Sequence, residues 1–83
     1  MLRIDATETG GVRTISLSGR LMAGWVTEVR SAVAGNAAVQ RTQLDLTDLR
    51  YADEAGVRLL QALRRDGIEI VGWTPYARAL LEP

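Results

Sequence analysis

The chain contains no cysteine, no histidine and no lysine. Without cysteine there is neither a disulfide framework nor a thiolate metal site. The missing histidine removes the usual general base near neutral pH. The missing cysteine and lysine remove the thiol nucleophile and the Schiff-base amine. Zinc would find carboxylates alone, a poor donor set for that metal. Long apolar runs are also lacking, which argues against a membrane-spanning helix, and no charged-then-apolar leader opens at Met1. A non-enzymatic cytoplasmic protein with no cofactor, no metal and no direct membrane insertion is the expectation.

What remains is ordinary globular material. Ten arginines balance ten acids, and the arginines are scattered rather than gathered into a basic stripe, so nucleic acid is not the expected partner. The apolar share of 47% suits a packed core. Eighty-three residues fit one domain, residues 1–83, of modest stability.

The hydrophobic period divides the chain into elements. "LRIDAT" (2–7) alternates apolar and polar residues, the period of a half-buried strand. "VRTISLS" (12–18) repeats that period after Gly10-Gly11, which predicts a hairpin with a short Gly-Gly turn. From Leu21 the period changes: Met22, Trp25, Val26, Val29, Ala32 and Val33 recur at helical steps, with Gly35-Asn36 as a left-handed stop. "TQLDLTDL" (42–49) returns to alternation and predicts a strand. Asp53 caps a second helix whose apolar face is Gly56, Leu59, Leu60 and Leu63, and Gly67 ends it. "IEIVGW" (68–73) predicts a fourth strand. Thr74-Pro75 then opens a short last helix, with the hydroxyl at the cap and proline at the first position. The expected order is β-β-α-β-α-β-α, a small mixed α/β layer fold in which strand–helix–strand alternation requires parallel pairing.

Four groupings bear on chemistry. "GRLMAGWV" (19–26) has the Gly-x4-Gly spacing of a phosphate loop, but Trp25 and Val26 stand where lysine and a hydroxyl must follow, so the match fails. Asp45, Asp48, Asp53 and Glu54 bring four carboxylates within ten residues. A cation site or an acid/base pair could use them; without a spaced loop motif the structural reading is preferred, with Asp48 in a turn, Asp53 as cap and Glu54 against the helix dipole. Asp45, disfavoured inside a strand, is assigned to the backbone amides of the following loop. Trp25 on a helical stripe reads as core, whereas Trp73 suits either packing or a binding surface.

The junction "RYADEAGVRLL" (50–60) draws most interest because a helix start presents unpaired amide protons and a positive dipole end. Gly56 inside that helix costs about 1 kcal/mol relative to alanine, so another backbone is expected close by, either the adjacent strand or a second protein.

Taken together, "LSGRLM" (17–22), "LDLTDLRYADEAGVRLLQAL" (44–63) and "VGWTPYARALLE" (71–82) resemble the STAS family, which includes bacterial anti-sigma-factor antagonists and the regulatory tails of sulfate transporters. The resemblance spans nearly the whole chain and implies a STAS-like fold, no catalytic residues, and a role in binding protein. In the family a "Gly-x-Leu-Asp" turn opens the first helix, and "Asp-Ser-Ser-Gly-Leu" opens the second, where a serine or threonine receives phosphate from a kinase that is also the anti-sigma factor. Here Met22 replaces the aspartate of the first turn, and the second stretch is Asp53-Glu54-Ala55-Gly56. Neither Glu54 nor Ala55 has a hydroxyl, so the phosphosite is degenerate and that switch is chemically impossible.

The implied role is an anti-sigma-factor-antagonist-like module that docks on an anti-sigma factor or kinase-like regulator through Arg50, Tyr51, Asp53, Glu54, Ala55, Gly56 and Arg58. Arginine and tyrosine favour interfaces; the competing reading of Arg58 is an intrahelical pair with Glu54. Glu54 carries one charge where phosphate carries about two, so a helix-start role is preferred to phosphate mimicry. The alternative within the resemblance is a cytoplasmic accessory subunit of an ABC-type lipid transport complex, bound to its ATPase subunit. Arginine used throughout in place of lysine is the pattern of a GC-rich bacterial source.

Overall fold

The computed structural model describes residues 1–34 and 41–82. The chain runs β1 (Leu2–Thr9), β2 (Val12–Leu21), a 3-10 turn (Ala23–Trp25), α1 (Val26–Ala34), β3 (Arg41–Asp45), β4 (Leu49–Ala52), α2 (Glu54–Arg65), β5 (Glu69–Val71) and α3 (Pro75–Leu81). The helical stop expected at Gly35-Asn36 lies outside the described residues.

The first two strands form the expected hairpin, with Thr9 opposite Val12. Gly10 and Gly11 hold φ of 58° and 80°, the pair of positive values that a two-residue hairpin turn needs to match the strand twist. The remaining pairings are parallel, as the intervening helices require. The sheet has five strands in the order β1-β2-β3-β5, with β4 also paired to β2.

This last pairing departs from the expected single strand over 42–49. Two segments, β3 and β4, run successively along the same neighbour. Ser16 lies opposite Asp45, Gly19 opposite Leu49 and Arg20 opposite Tyr51, so the partner number exceeds that of β2 by 29, then 30, then 31. The first extra residue is taken up by a turn over 46–48 and the second by the register shift between Gly19 and Arg20. Asp45 makes that turn: its Oδ1 accepts from the Thr47 amide at 2.9 Å and from the Thr47 hydroxyl at 2.6 Å, the local bonding by which aspartate competes with a strand ladder. The assignment of Asp45 to the next loop's backbone therefore holds. β4 itself is added to the expected plan, giving, among the described residues, a mixed sheet of five strands with three helices.

The first helix also begins later than its apolar stripe suggested. Leu21 pairs with Ala52 in the sheet, and Met22 is extended, so helical backbone starts only after them. Residues Leu21 and Met22 satisfy the helical period, but the parallel ladder with β4 claims the backbone.

Inward-facing Ile15, Leu17 and Leu44 from the sheet and Leu46 from the following turn are fully buried with Val29 of α1 and Leu60 of α2, while Leu59, Leu63, Ala77 and Leu81 join the same core. Fully burying a leucine side chain contributes about 1.5–3 kcal/mol, so these side chains fix which face of each helix meets the sheet. Thr14 and Ser16 of β2 and Gln43 of β3 face the other way; Gln43 Nε2 donates to Thr14 Oγ1 across that face at 2.9 Å. The last helix is capped as expected, with the Thr74 hydroxyl accepting from the Ala77 amide and Pro75 in the first turn. Among the described residues, no helix is long and apolar enough to cross a membrane.

Candidate functional site

β2 and β4 end side by side, and the chain turns from each into helical backbone. Asp53 stands where the two paths meet. Its amide donates to the Leu21 carbonyl at 3.0 Å. Its Oδ1 accepts from the Gly56 amide at 2.8 Å, capping α2 as the sequence implies. Its Oδ2 accepts from the Ala23 amide at 2.9 Å, which is the first residue of the 3-10 turn. One carboxylate thus satisfies an orphan donor at the start of two helical segments, where an anion is also favoured by the peptide dipoles. With one bond accepted by each oxygen, the Asp53 side chain positions the site.

Gly56 is buried beneath the same junction. A Cβ built on it would lie 2.7 Å from the Leu21 carbonyl oxygen, 2.9 Å from Leu21 Cγ and 3.3 Å from the Ala52 side chain. The close neighbour anticipated for this glycine is therefore the protein's own sheet, the first of the two alternatives the sequence leaves open. Ala55 is half-buried beside it.

The other four residues of the expected surface are exposed: Arg50 and Tyr51 on β4, Glu54 and Arg58 on α2. Tyr51, at 41% exposure, is one of two large hydrophobic residues open to solvent among those described. Glu54 and Arg58 side chains are 79% and 73% exposed and form an ion pair one helical turn apart, so the intrahelical partner anticipated for Arg58 is present. An exposed pair of this kind contributes about 0.3–0.5 kcal/mol. It also offsets the Glu54 charge, which makes the carboxylate a weaker imitation of a phosphate.

Arg20 belongs to this surface and was not singled out from the sequence. Its guanidinium lies 5.3 Å from the centroid of the Tyr51 ring, within cation–π range. The ending of β2 at Ser18 hid it; the signal would have been Gly19, whose positive φ of 98° accompanies the register shift that aligns Arg20 with Tyr51. Arg20, Arg50, Tyr51, Glu54 and Arg58 form an exposed, charge-rich and aromatic margin around the mouth of α2. The mouth is braced from behind by Tyr76 of α3, whose hydroxyl accepts from the Ala52 amide at 2.9 Å.

The tryptophans separate from this margin. Trp25 is half-buried against the core, as its place on the apolar stripe implies. Trp73 also packs partly against the core, and Arg64 and Arg78 lie 5.1 and 5.7 Å from its ring. The two arginines over Trp73 belong to the last turn of α2 and to α3, not to the mouth of α2. Among the described residues, no group of three or more acidic side chains is arranged to hold a metal ion.

No family model and no curated protein matches the sequence. Solved structures do match the architecture. An anti-sigma-factor antagonist STAS domain from Rhodobacter sphaeroides is 22% identical with a TM-score of 0.67, covering 86% of each chain. The anti-sigma-factor antagonist SpoIIAA in its unphosphorylated form is 19% identical with a TM-score of 0.70, over 96% of this chain and 80% of that one. An uncharacterised protein from Shewanella loihica with a SpoIIAA-like fold is 14% identical with a TM-score of 0.56, over 94% of this chain and 71% of the other. The chain therefore has a STAS-like fold.

Proposed function

We propose that the chain is a non-enzymatic protein-interaction module, an anti-sigma-factor-antagonist-like regulator that docks through the mouth of α2 and works without phosphorylation there. The observation that carries this reading is the exposure of Arg50, Tyr51, Glu54 and Arg58 at one helix start, in a fold shared with two anti-sigma-factor antagonists. Tyrosine and arginine are the residue types that anchor interfaces, and here they stand on a short strand and a capped helix rather than on a loop. A rigid platform loses little conformational entropy on binding.

The tetrad Asp53-Glu54-Ala55-Gly56 offers no oxygen that can be esterified by a hydroxyl-directed kinase. Control would therefore come from the abundance of this chain or from the state of its partner. A protein partner, an anti-sigma factor or kinase-like regulator, in a bacterial cytoplasm is the setting the reading requires.

Calorimetric titration against the anti-sigma factors of the source cell tests it. A 1:1 complex is expected, and E54K/R58E should weaken it at least tenfold, a change of about 1.4 kcal/mol. That double reversal keeps opposite charges one turn apart but puts a cation at the helix start, a cost of about 1 kcal/mol, so circular dichroism should show the variant still folded at the assay temperature. Undiminished affinity in the variant would refute the surface. Binding to a lipid-transport ATPase subunit in place of every anti-sigma factor would assign the chain to a transport complex instead.

A further inference from the structure

β1 pairs with β2 along one side, and no described strand lies along its other side. The ladder decides which groups that open edge presents. Arg20 donates its amide proton to the Met1 carbonyl at 3.1 Å, one step beyond the pairing of Leu2 with Gly19. Met1 thus belongs to the set that bonds β2, and by the alternation of an antiparallel ladder so do Arg3, Asp5 and Thr7. The N–H and C=O groups of Leu2, Ile4, Ala6 and Glu8 point outward. Such a row is a template for another strand.

The sequence of β1 selects which strand fits. A second copy of β1 laid antiparallel must set outward residues opposite outward residues, which leaves few registers. Centred on Arg3, the pairing opposes two arginines; centred on Asp5, it opposes two aspartates; like charges directly opposite are destabilising. Centred on Ala6, it sets Ile4 against Glu8. Centred on Ile4, it sets each Arg3 against the other copy's Asp5, Ile4 against Ile4, and Leu2 against Ala6. The two charge pairs arise together by symmetry, and the apolar side chains meet on the face that already carries the core. Ile4 is half-buried and Ala6 exposed in the single chain. Arg3 and Asp5 pair within the strand at 2.9 Å while 78% and 47% exposed, so the second copy extends an existing pair into an alternating array of four charges.

We propose that β1 is a self-association edge: two copies join antiparallel about a twofold axis through Ile4, merging two five-stranded sheets into one. The contact is isologous, each copy giving and receiving the same groups, with about six backbone hydrogen bonds from the three outward pairs. It employs none of the residues proposed for docking at α2, so either can fail alone.

The absence of cysteine permits a direct test of register. In the Ile4-centred pairing the two Ile4 Cα atoms lie about 5.5 Å apart, within disulfide reach, whereas two Thr7 residues lie about 20 Å apart. Mild oxidation should cross-link I4C and leave T7C monomeric. Sedimentation should show concentration-dependent dimers for the unaltered chain, and R3D or D5R alone should weaken them at least tenfold. An equimolar mixture of R3D and D5R should dimerise again, because two acids then face two arginines; circular dichroism confirms that each variant is folded. A chain monomeric at its highest soluble concentration, cross-linking of T7C in preference to I4C, or a mixture that does not reassociate would each overturn the proposal.

Discussion

Asp45 and Asp53 occupy similar places, each at the C-terminal end of a strand of the same sheet, and each half-buried. Their bonding differs in reach. Asp45 serves Thr47, two residues onward, with both donors on one oxygen. Asp53 serves Gly56, three residues onward, and Ala23, thirty residues earlier. The first carboxylate shapes a turn that its own neighbours could form alone. The second ties two separate chain segments into one platform, so its removal should disturb both the start of α2 and the turn after β2. A local cap and a tertiary tie are the same residue type in the same kind of position, and only the partner's location separates them.

The largest effect expected from attacking the Asp53 junction is at Gly56. Gly56→Val forces a branched side chain into the Leu21 backbone and the Ala52 side chain and should destabilise by about 3 kcal/mol, measured by urea unfolding. A loss below that of alanine substitution on an exposed helix would mean that β2 is not pressed against α2. Asp53→Ala comes next, at about 2 kcal/mol, since one change orphans two amides. Asp53→Asn sharpens the point: asparagine caps well, so a residual loss of about 1 kcal/mol would belong to the Ala23 bond. Amide exchange at Ala23 should accelerate in both variants.

Asp45→Ala should cost about 1 kcal/mol and leave amide exchange at Ala23 and Gly56 unchanged. Equal losses at Asp45 and Asp53 would erase the distinction between local and tertiary roles. Smallest of all is Glu54→Gln, which removes the exposed pair with Arg58 and the charge against the helix dipole; stability should shift by about 0.5 kcal/mol, while any partner that reads the charge at this position would respond.

Much of this arrangement was legible because it is local. The Gly10-Gly11 turn, the Thr74-Pro75 helix start and the Asp53 cap depend on residues within four positions of one another, and each appeared where its chemistry placed it. Arg50, Tyr51, Glu54 and Arg58 are named through the family resemblance, and the structure adds that all four are exposed around one helix start. Arg20 could not be named, because its relation to Tyr51 exists only through a strand register. β4 escaped for the same reason: four residues with buried ends and exposed centres carry no strand period, and only pairing with the end of β2 makes them a strand. The helical stripe beginning at Leu21 shows the converse, a correct period whose first members the sheet had already engaged.

By itself, the order of residues determined the alternation of extended and helical segments, the capping chemistry and the lack of an esterifiable hydroxyl between Asp53 and Gly56, since each follows from side-chain identity and short-range backbone geometry. Tertiary structure alone decided that Gly56 faces the sheet, that Asp53 also holds Ala23, and that Arg20 lies over Tyr51. Those three outcomes depend on which distant segments close upon one another, and burial of the common apolar core, not local preference, selects that closure.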